Sequence, residues 1–247
     1  MPRNGFKRAA RKFGAGYVNK KGDFRIKKLA KQIKFIKSSL NSERKHLQIM
    51  FGTASGALVG RQVVTRSAPV VQKLTSLSSL AQGNTGNTRI GDNIKITSIS
   101  YKGSMFLDNL NNKSQTTEAV WYLVQMKDAD NTLTIAEMFE TDQNDQIGPN
   151  SYYKESTYSQ YNILAKHVFK MRQYVPSTSS TAAANRVTQY FDNHIVFDES
   201  QRVMLKWDGS TLETNELYVV CITDSLLDSD TDKLQFDLNL KVNYVDN

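Results

Sequence analysis

Leu234, Phe236, Leu238, Leu240, Val242 and Tyr244 alternate without a break with Gln235, Asp237, Asn239, Lys241 and Asn243. Successive side chains of a strand point to opposite faces, so this run predicts a strand with one buried face. Val203, Leu205 and Trp207 alternate with Arg202, Met204 and Lys206 in the same way, and Gln189 to Phe197 predicts a strand just before them. The short Asp198-Glu199-Ser200 between the two suggests a hairpin. Glu118 to Lys127 (EAVWYLVQMK) and Leu217 to Ile222 (LYVVCI) are apolar on both parities, which predicts central strands covered on each side. Tyr161 to Ala165 and Val168 to Arg172 read as two short strands or one bent one.

The longest predicted strand, Ile94 to Leu107, follows the glycine-rich stretch that begins at Ala81. Its apolar phase changes: Ile94 and Ile96 share one parity, whereas Ile99, Tyr101, Met105 and Leu107 share the other. A one-residue shift in a period of two implies a bulge at Thr97 and Ser98. This strand is expected to be the first of a sandwich or barrel. Thr134 to Glu140 predicts one or two helical turns capped by Thr134. Thr141 to Gln160 and Tyr174 to Asn185 are long polar loops, candidates for an outer surface. About eight strands without βαβ alternation predict an all-β, antiparallel jelly roll or barrel.

The N-terminal region has another pattern. Ile26, Leu29, Ile33, Ile36 and Leu40 recur at spacings of three and four, predicting a helix over about 23–40 with Asp23 as its N-cap. Gln48 to Gly60 is uncharged, with Gly52, Gly56 and Gly60 at four-residue spacing, and is too short to span a bilayer. A buried or intersubunit connector is expected there, with a membrane-active segment as the other reading, followed by a linker over 61–80 that holds a short strand near Val63 and Val64. The expected division is an arm over 1–47, a connector over 48–80 and a β domain over 81–247.

Charge sharpens that division. Residues 1–47 carry fifteen Lys or Arg against two acidic residues, +13 within a chain whose net charge is +8. A basic arm on a mildly acidic body points to a polyanionic partner for the arm. Its candidate nucleic-acid contacts are Arg3, Lys7, Arg8, Arg11, Lys12, Lys20, Lys21, Arg25, Lys27, Lys28, Lys31, Lys34 and Lys37. Phe6, Phe13, Tyr17, Phe24 and Phe35 lie among them, a mixture suited to contacting phosphates and stacking on unpaired bases.

Catalytic chemistry finds no support. His46, His167 and His194 are scattered, and no GxSxG, HExxH or Walker loop is present. Cys221 is the single cysteine, so no intramolecular disulfide forms. The acidic turn from Asp224 to Asp232 lacks the glycine and glutamate of a calcium loop. The expectation is a non-enzymatic protein without metal or cofactor. The start, MPRNGFKRAARKFG, has no apolar secretory segment, and no apolar run is long enough to cross a membrane.

The glycine-rich Arg89-Ile90-Gly91-Asp92 leading into IKITSISYKGSMFL resembles the "QG…RIG…I" opening of the first barrel strand in capsid proteins of circovirus-like single-stranded DNA viruses. The basic N-terminus ahead of a run of strands, and the ending LKVNYVD, resemble the same group. The lysine-bearing helix departs from the dense arginine run of circoviruses themselves and leaves satellite-type RNA virus capsids as neighbours. The resemblance implies a shell of sixty copies that packages single-stranded DNA, in preference to RNA, through the arm. It also implies a virion location, a nuclear stage served by Lys7-Arg8, Arg11-Lys12 or Lys27-Lys28, and a host receptor. A non-assembling nucleic-acid-binding protein and a jelly-roll ligand binder stand as the other readings.

Overall fold

The computed structural model describes residues 29, 31–32, 44–51, 62–109, 115–128, 132–142, 146–173, 185–198, 203–226 and 233–246. The chain forms two compact units, Met1–Glu43 and Arg44–Asn247. In the first, Leu29, Lys31 and Gln32 are helical and exposed; the rest of the helix predicted over 23–40 lies outside the described residues.

The second unit is all-β. Its strands are β1 (Arg44–Phe51), β2 (Gln62–Val64), β3 (Val70–Lys73), β4 (Asn93–Asn109), β5 (Gln115–Asp128), β6 (Tyr161–Gln173), β7 (Asn185–Val196), β8 (Val203–Asp208), β9 (Thr211–Thr223) and β10 (Lys233–Asp246). Two one-turn helices, α1 (Thr75–Ser78) and α2 (Ile135–Met138), interrupt them.

Every strand pairing is antiparallel. β1-β10-β4-β7 make one layer, sheet I, and β3-β9-β5-β6 make the other, sheet II. Leaving out the short β2 and β8 and ranking the remaining eight strands by sequence, the orders are 1-8-3-6 and 2-7-4-5. That is the strand order of a jelly roll, two Greek keys wound together. β8 pairs with both β4 and β9 and joins the layers at a corner, with an irregular register at Lys206 and Trp207.

The strand expected to open the roll is therefore its third, because β1 and β3 precede it in the chain. β1 itself occupies Arg44–Phe51, residues assigned from sequence to the arm and connector. Lys45, Leu47 and Ile49 share the inward parity opposite Tyr244, Val242 and Leu240. The inward lysine is accommodated by an ion pair to Asp246 at 2.9 Å and by donating to the Thr88 carbonyl at 2.9 Å. Such pairing is what a fully buried ammonium requires.

The bulge falls where the phase change put it. Asn243 pairs with Ser98 and Tyr244 with Ile96, leaving Thr97 unpaired in the ladder. It also divides one edge of β4 between two partners: β8 pairs with Asn93–Ile96 and β7 with Ser98–Asn109. β7 and β8 thus lie end to end along β4, and the hairpin expected between them does not form. Phe197 caps the changeover, its N–H donating to the Thr97 carbonyl at 3.0 Å. β6 is one strand, with a register shift opposite Leu123 and Val124.

The sheets enclose the main core, in which Tyr101 and Trp121 meet across the layers at 4.9 Å and Trp121 and Phe191 at 5.5 Å. A second apolar layer covers the other face of sheet II. There Val120, Tyr122, Val124, Val220 and Ile222 pack against Leu133, Met138, Phe139 and Ile147. This is why β5 and β9 are apolar on both parities; burying each such side chain contributes about 1.5–3 kcal/mol. The covering segment is tied down by the Thr134 N–H donating to Glu137 Oε2 at 2.7 Å and by Phe139 stacked on Tyr153 at 5.4 Å. Part of the polar loop expected over 141–160 is thus a packed cover.

Candidate nucleic-acid interface

Of the thirteen arm contacts predicted from sequence, Lys31 alone is described, helical and exposed. Arg3, Lys7, Arg8, Arg11, Lys12, Lys20, Lys21, Arg25, Lys27, Lys28, Lys34 and Lys37 lie outside the described residues. Leu29, on the predicted apolar stripe, is exposed.

The motif arginine has a different role from the arm's. Arg89 is 2% exposed, and its guanidinium is spent on the protein itself. It donates to the carbonyls of Leu80 (3.1 Å), Gly91 (2.7 Å) and Gly209 and to Asp92 Oδ1 (3.0 Å), and it lies 4.9 Å from the Trp207 ring centre. Five fixed donors make arginine suited to gathering several acceptors at once. Arg89 pins the loop before β4 to the β8–β9 turn.

Sheet I presents a broad outward face, and the registers align its residues in rows. Asp237, Ser104 and Tyr190 form one row; Met50, Asn239, Lys102 and Asp192 the next. Gln48, Lys241, Ser100 and His194 follow, and then His46, Asn243, Ser98 and Val196. Beyond the bulge, Arg44, Val245 and Lys95 end the series. Neighbouring rows are about 6.8 Å apart, two residues of an antiparallel strand.

Across the middle of this face runs a hydrogen-bonded ladder of neutral side chains, interleaved with Lys102, Lys241 and Asp192. Gln48 Nε2 donates to Asn239 Oδ1 (3.1 Å), Asn243 Nδ2 donates to Ser98 Oγ (2.9 Å), and Ser100 Oγ and His194 Nδ1 share a hydrogen bond of 2.8 Å. Asp237 Oδ1 accepts from both the N–H (2.8 Å) and the Oγ (2.6 Å) of Ser104, so its charge is partly satisfied. Tyr190 is 82% exposed, and Lys102, Lys241, Arg44, His46 and Asp192 are also exposed.

Charge on the body is distributed unevenly. Elsewhere among the described residues, cations meet carboxylates at Lys45–Asp246, Arg66–Asp142, Lys73–Glu216, Lys170–Glu118 and Lys206–Glu213, whereas Lys127, Lys154 and Lys166 donate to neutral oxygens. On the sheet I face, Arg44, Lys95, Lys102 and Lys241 make no ion pair among the described residues. Sequence reasoning counted Arg44 with the basic arm and passed over Lys95, Lys102 and Lys241, because single lysines inside predicted strands carry no local signal; only the register aligns them.

Neither a metal-binding cluster nor a helix long and apolar enough to cross a membrane occurs among the described residues. A shallow cleft of about 430 Å³, lined in part by Arg66, Glu140, Asp142, Tyr152 and Asp224, lies away from this face.

No family model matches the chain, and no curated protein matches it. Among solved structures, twelve chains match. One is from the cryo-EM structure of Broad Bean Stain Virus, at 10% identity over 81% of this chain and 85% of that chain, with a TM-score of 0.29. So slight a likeness bears no weight; the fold assignment rests on the strand order and registers above.

Proposed function

We propose that this chain is a viral capsid protein, which assembles through its jelly-roll unit into a small closed shell and holds a single-stranded genome with its basic N-terminal segment. The observation that carries the reading is the charge division at the point where the fold begins. Residues 1–43 hold thirteen Lys or Arg against Asp23 and Glu43, or +11, so residues 44–247 are −3 within the total of +8. A jelly roll whose preceding segment carries that charge has separate parts for shell building and for polyanion binding.

In a shell of sixty copies the +11 segments would bring roughly 660 positive charges to the genome, leaving the remaining phosphates to counterions. Circular single-stranded DNA is the preferred cargo, following the circovirus-like resemblance of the Arg89–Asp92 stretch. The same basic segment would direct the protein to the nucleus for assembly. Closed shells are commonly built from one repeated subunit.

The test is nucleic-acid content. Lys27→Gln, Lys31→Gln and Lys34→Gln combined in the full chain should leave the thermal transition of the β unit in place. The 260/280 absorbance ratio of the purified protein should fall and salt should release nucleic acid at lower concentration. An unchanged ratio and salt profile would remove the segment from genome binding. DNase against RNase digestion of the released polymer decides the cargo.

A further inference from the structure

The outward face of sheet I carries a second feature that the basic segment does not explain. Tyr190 stands opposite Ser104, Lys102 opposite Asp192, Lys241 opposite Ser100, and His46 opposite Asn243. Each step along the series Tyr190, Lys102, Lys241, His46 crosses to the adjacent strand and moves two residues in the same direction. The four are therefore successive diagonal neighbours on β7, β4, β10 and β1, about 7–8 Å apart at each step. They form a straight line across all four strands of the sheet.

All four side chains are exposed, and Tyr190 is 82% exposed. A tyrosine in open water on a sheet face contributes little to the fold, because it neither fills the core nor satisfies a buried partner. Neither lysine has an ion pair among the described residues, where most other lysines of the body are paired or bonded. The flanking groups are amides, hydroxyls and an imidazole, with the exposed Met50 and Val196 at the two edges of the sheet. Asp192 is the exposed carboxylate beside it, and the other, Asp237, is engaged by Ser104. The line ends two residues from Arg44, where the +11 segment joins β1.

We infer that this diagonal is a binding track for unpaired nucleic acid, with Tyr190 as a stacking platform for one base and Lys102, Lys241 and His46 meeting consecutive phosphates. The inference rests on the capsid reading for its biological setting but not for its chemistry. An aromatic ring at the end of a row that includes two lysines is the combination that holds single strands without reading sequence, since every base has a π-face. Charge complementarity selects the occupant: four cations without an ion pair among the described residues, Arg44, Lys95, Lys102 and Lys241, share this face with Asp192 and the Ser104-bonded Asp237, in a unit that is otherwise net negative.

The experiment uses the full chain and fluorescein-labelled dT and rU oligomers, with a DNA duplex of equal length as control, titrated by anisotropy at several salt concentrations. Tyr190→Ala should weaken oligomer binding roughly tenfold, leave duplex binding and the salt slope unchanged, and be rescued by Tyr190→Phe, which keeps the ring. Lys102→Gln with Lys241→Gln should lower the log–log salt slope by about 1.4. Asp192→Asn should tighten binding. Comparable losses for dT and rU would indicate a sequence-tolerant track for either polymer, whereas loss confined to one would identify its sugar as recognised.

Parent-like binding and slope for Tyr190→Ala and the double lysine variant would overturn the inference, and equal loss in Tyr190→Ala and Tyr190→Phe would refute stacking. The combined Lys27, Lys31 and Lys34 variant separates this from the broader reading. If it binds like the parent, the basic segment fails; if it alone weakens binding, the segment stands and the track falls.

Discussion

The guanidinium of Arg89 lies 4.9 Å from the centre of the Trp207 ring, and Trp207 Nε1 donates to the Ser78 carbonyl at 3.0 Å. Through these two side chains the end of β8 is joined to α1 and to the loop before β4, more than a hundred residues earlier in the chain. Arg89→Ala should destabilise the fold by about 2–4 kcal/mol, because three carbonyls and a carboxylate lose a charged donor in a buried site. Arg89→Lys should recover only a minor part, since one ammonium cannot reach the fan of acceptors. Urea midpoints of the two variants check this; a parent-like Arg89→Lys would contradict it.

Gly103 sits in β4 beneath Phe191 of β7. A Cβ there would meet the Asp237 carbonyl oxygen and come within 2.6 Å of Phe191 Cζ. Gly103→Ala is expected to cost about 2–3 kcal/mol by overpacking. Adding Phe191→Leu should restore only part, because the obstructing carbonyl is backbone. Thermal melts of the single and double variants measure the difference, and full restoration would show that the ring alone sets the limit.

His167 gives the fold a dependence on acid. It is packed between Tyr101 of β4, Trp121 of β5, Phe169 of β6 and Phe191 of β7, and its Nε2 and Tyr101 Oη are 2.7 Å apart. Burial lowers its pKa from the ordinary 6.5. Below about pH 6.5 the unfolded chain takes up a proton that the native state still excludes, so stability falls as pH drops through that window. None of these four neighbours is a carboxylate that would offset the change. Urea midpoints at pH 7.5 and 5.5 should draw apart in the parent and less so in His167→Gln; an equal separation would assign the acid sensitivity elsewhere.

Cys221 is fully buried on β9 opposite Trp121, and burial pushes its thiol well above the ordinary range. Since the thiolate is the reactive form, the native protein should be inert to a thiol reagent at pH 8 and react at its rate of unfolding. Fast labelling without denaturant would mean that sheet II opens locally between β5 and β9.

The elements that the sequence made legible are those whose pattern is local. The unbroken alternation of β10, the two-sided apolar runs of β5 and β9, the Thr97 bulge and the Thr134 cap each follow from a period or a spacing within one segment. β1 was hidden by Lys45, an inward charge that breaks the alternation of Leu47, Ile49 and Phe51 and looks like the end of the basic segment. Its ion pair with Asp246, some two hundred residues later, is a tertiary fact. The false hairpin between β7 and β8 has a similar origin: a short connection and good alternation favour pairing, but the long edge of β4 offers both strands a better partner. The diagonal on sheet I was invisible for the strongest reason, since its four members come from four strands and only the registers align them.

The most direct test of the capsid reading is the mass of the purified full-length protein by multi-angle light scattering, recorded with its 260/280 ratio. Sixty copies of a 27.9 kDa chain predict a particle of roughly 1.7 MDa before cargo, with a raised ratio that nuclease lowers once the particle is opened. A species of tens of kilodaltons at every salt concentration would contradict it.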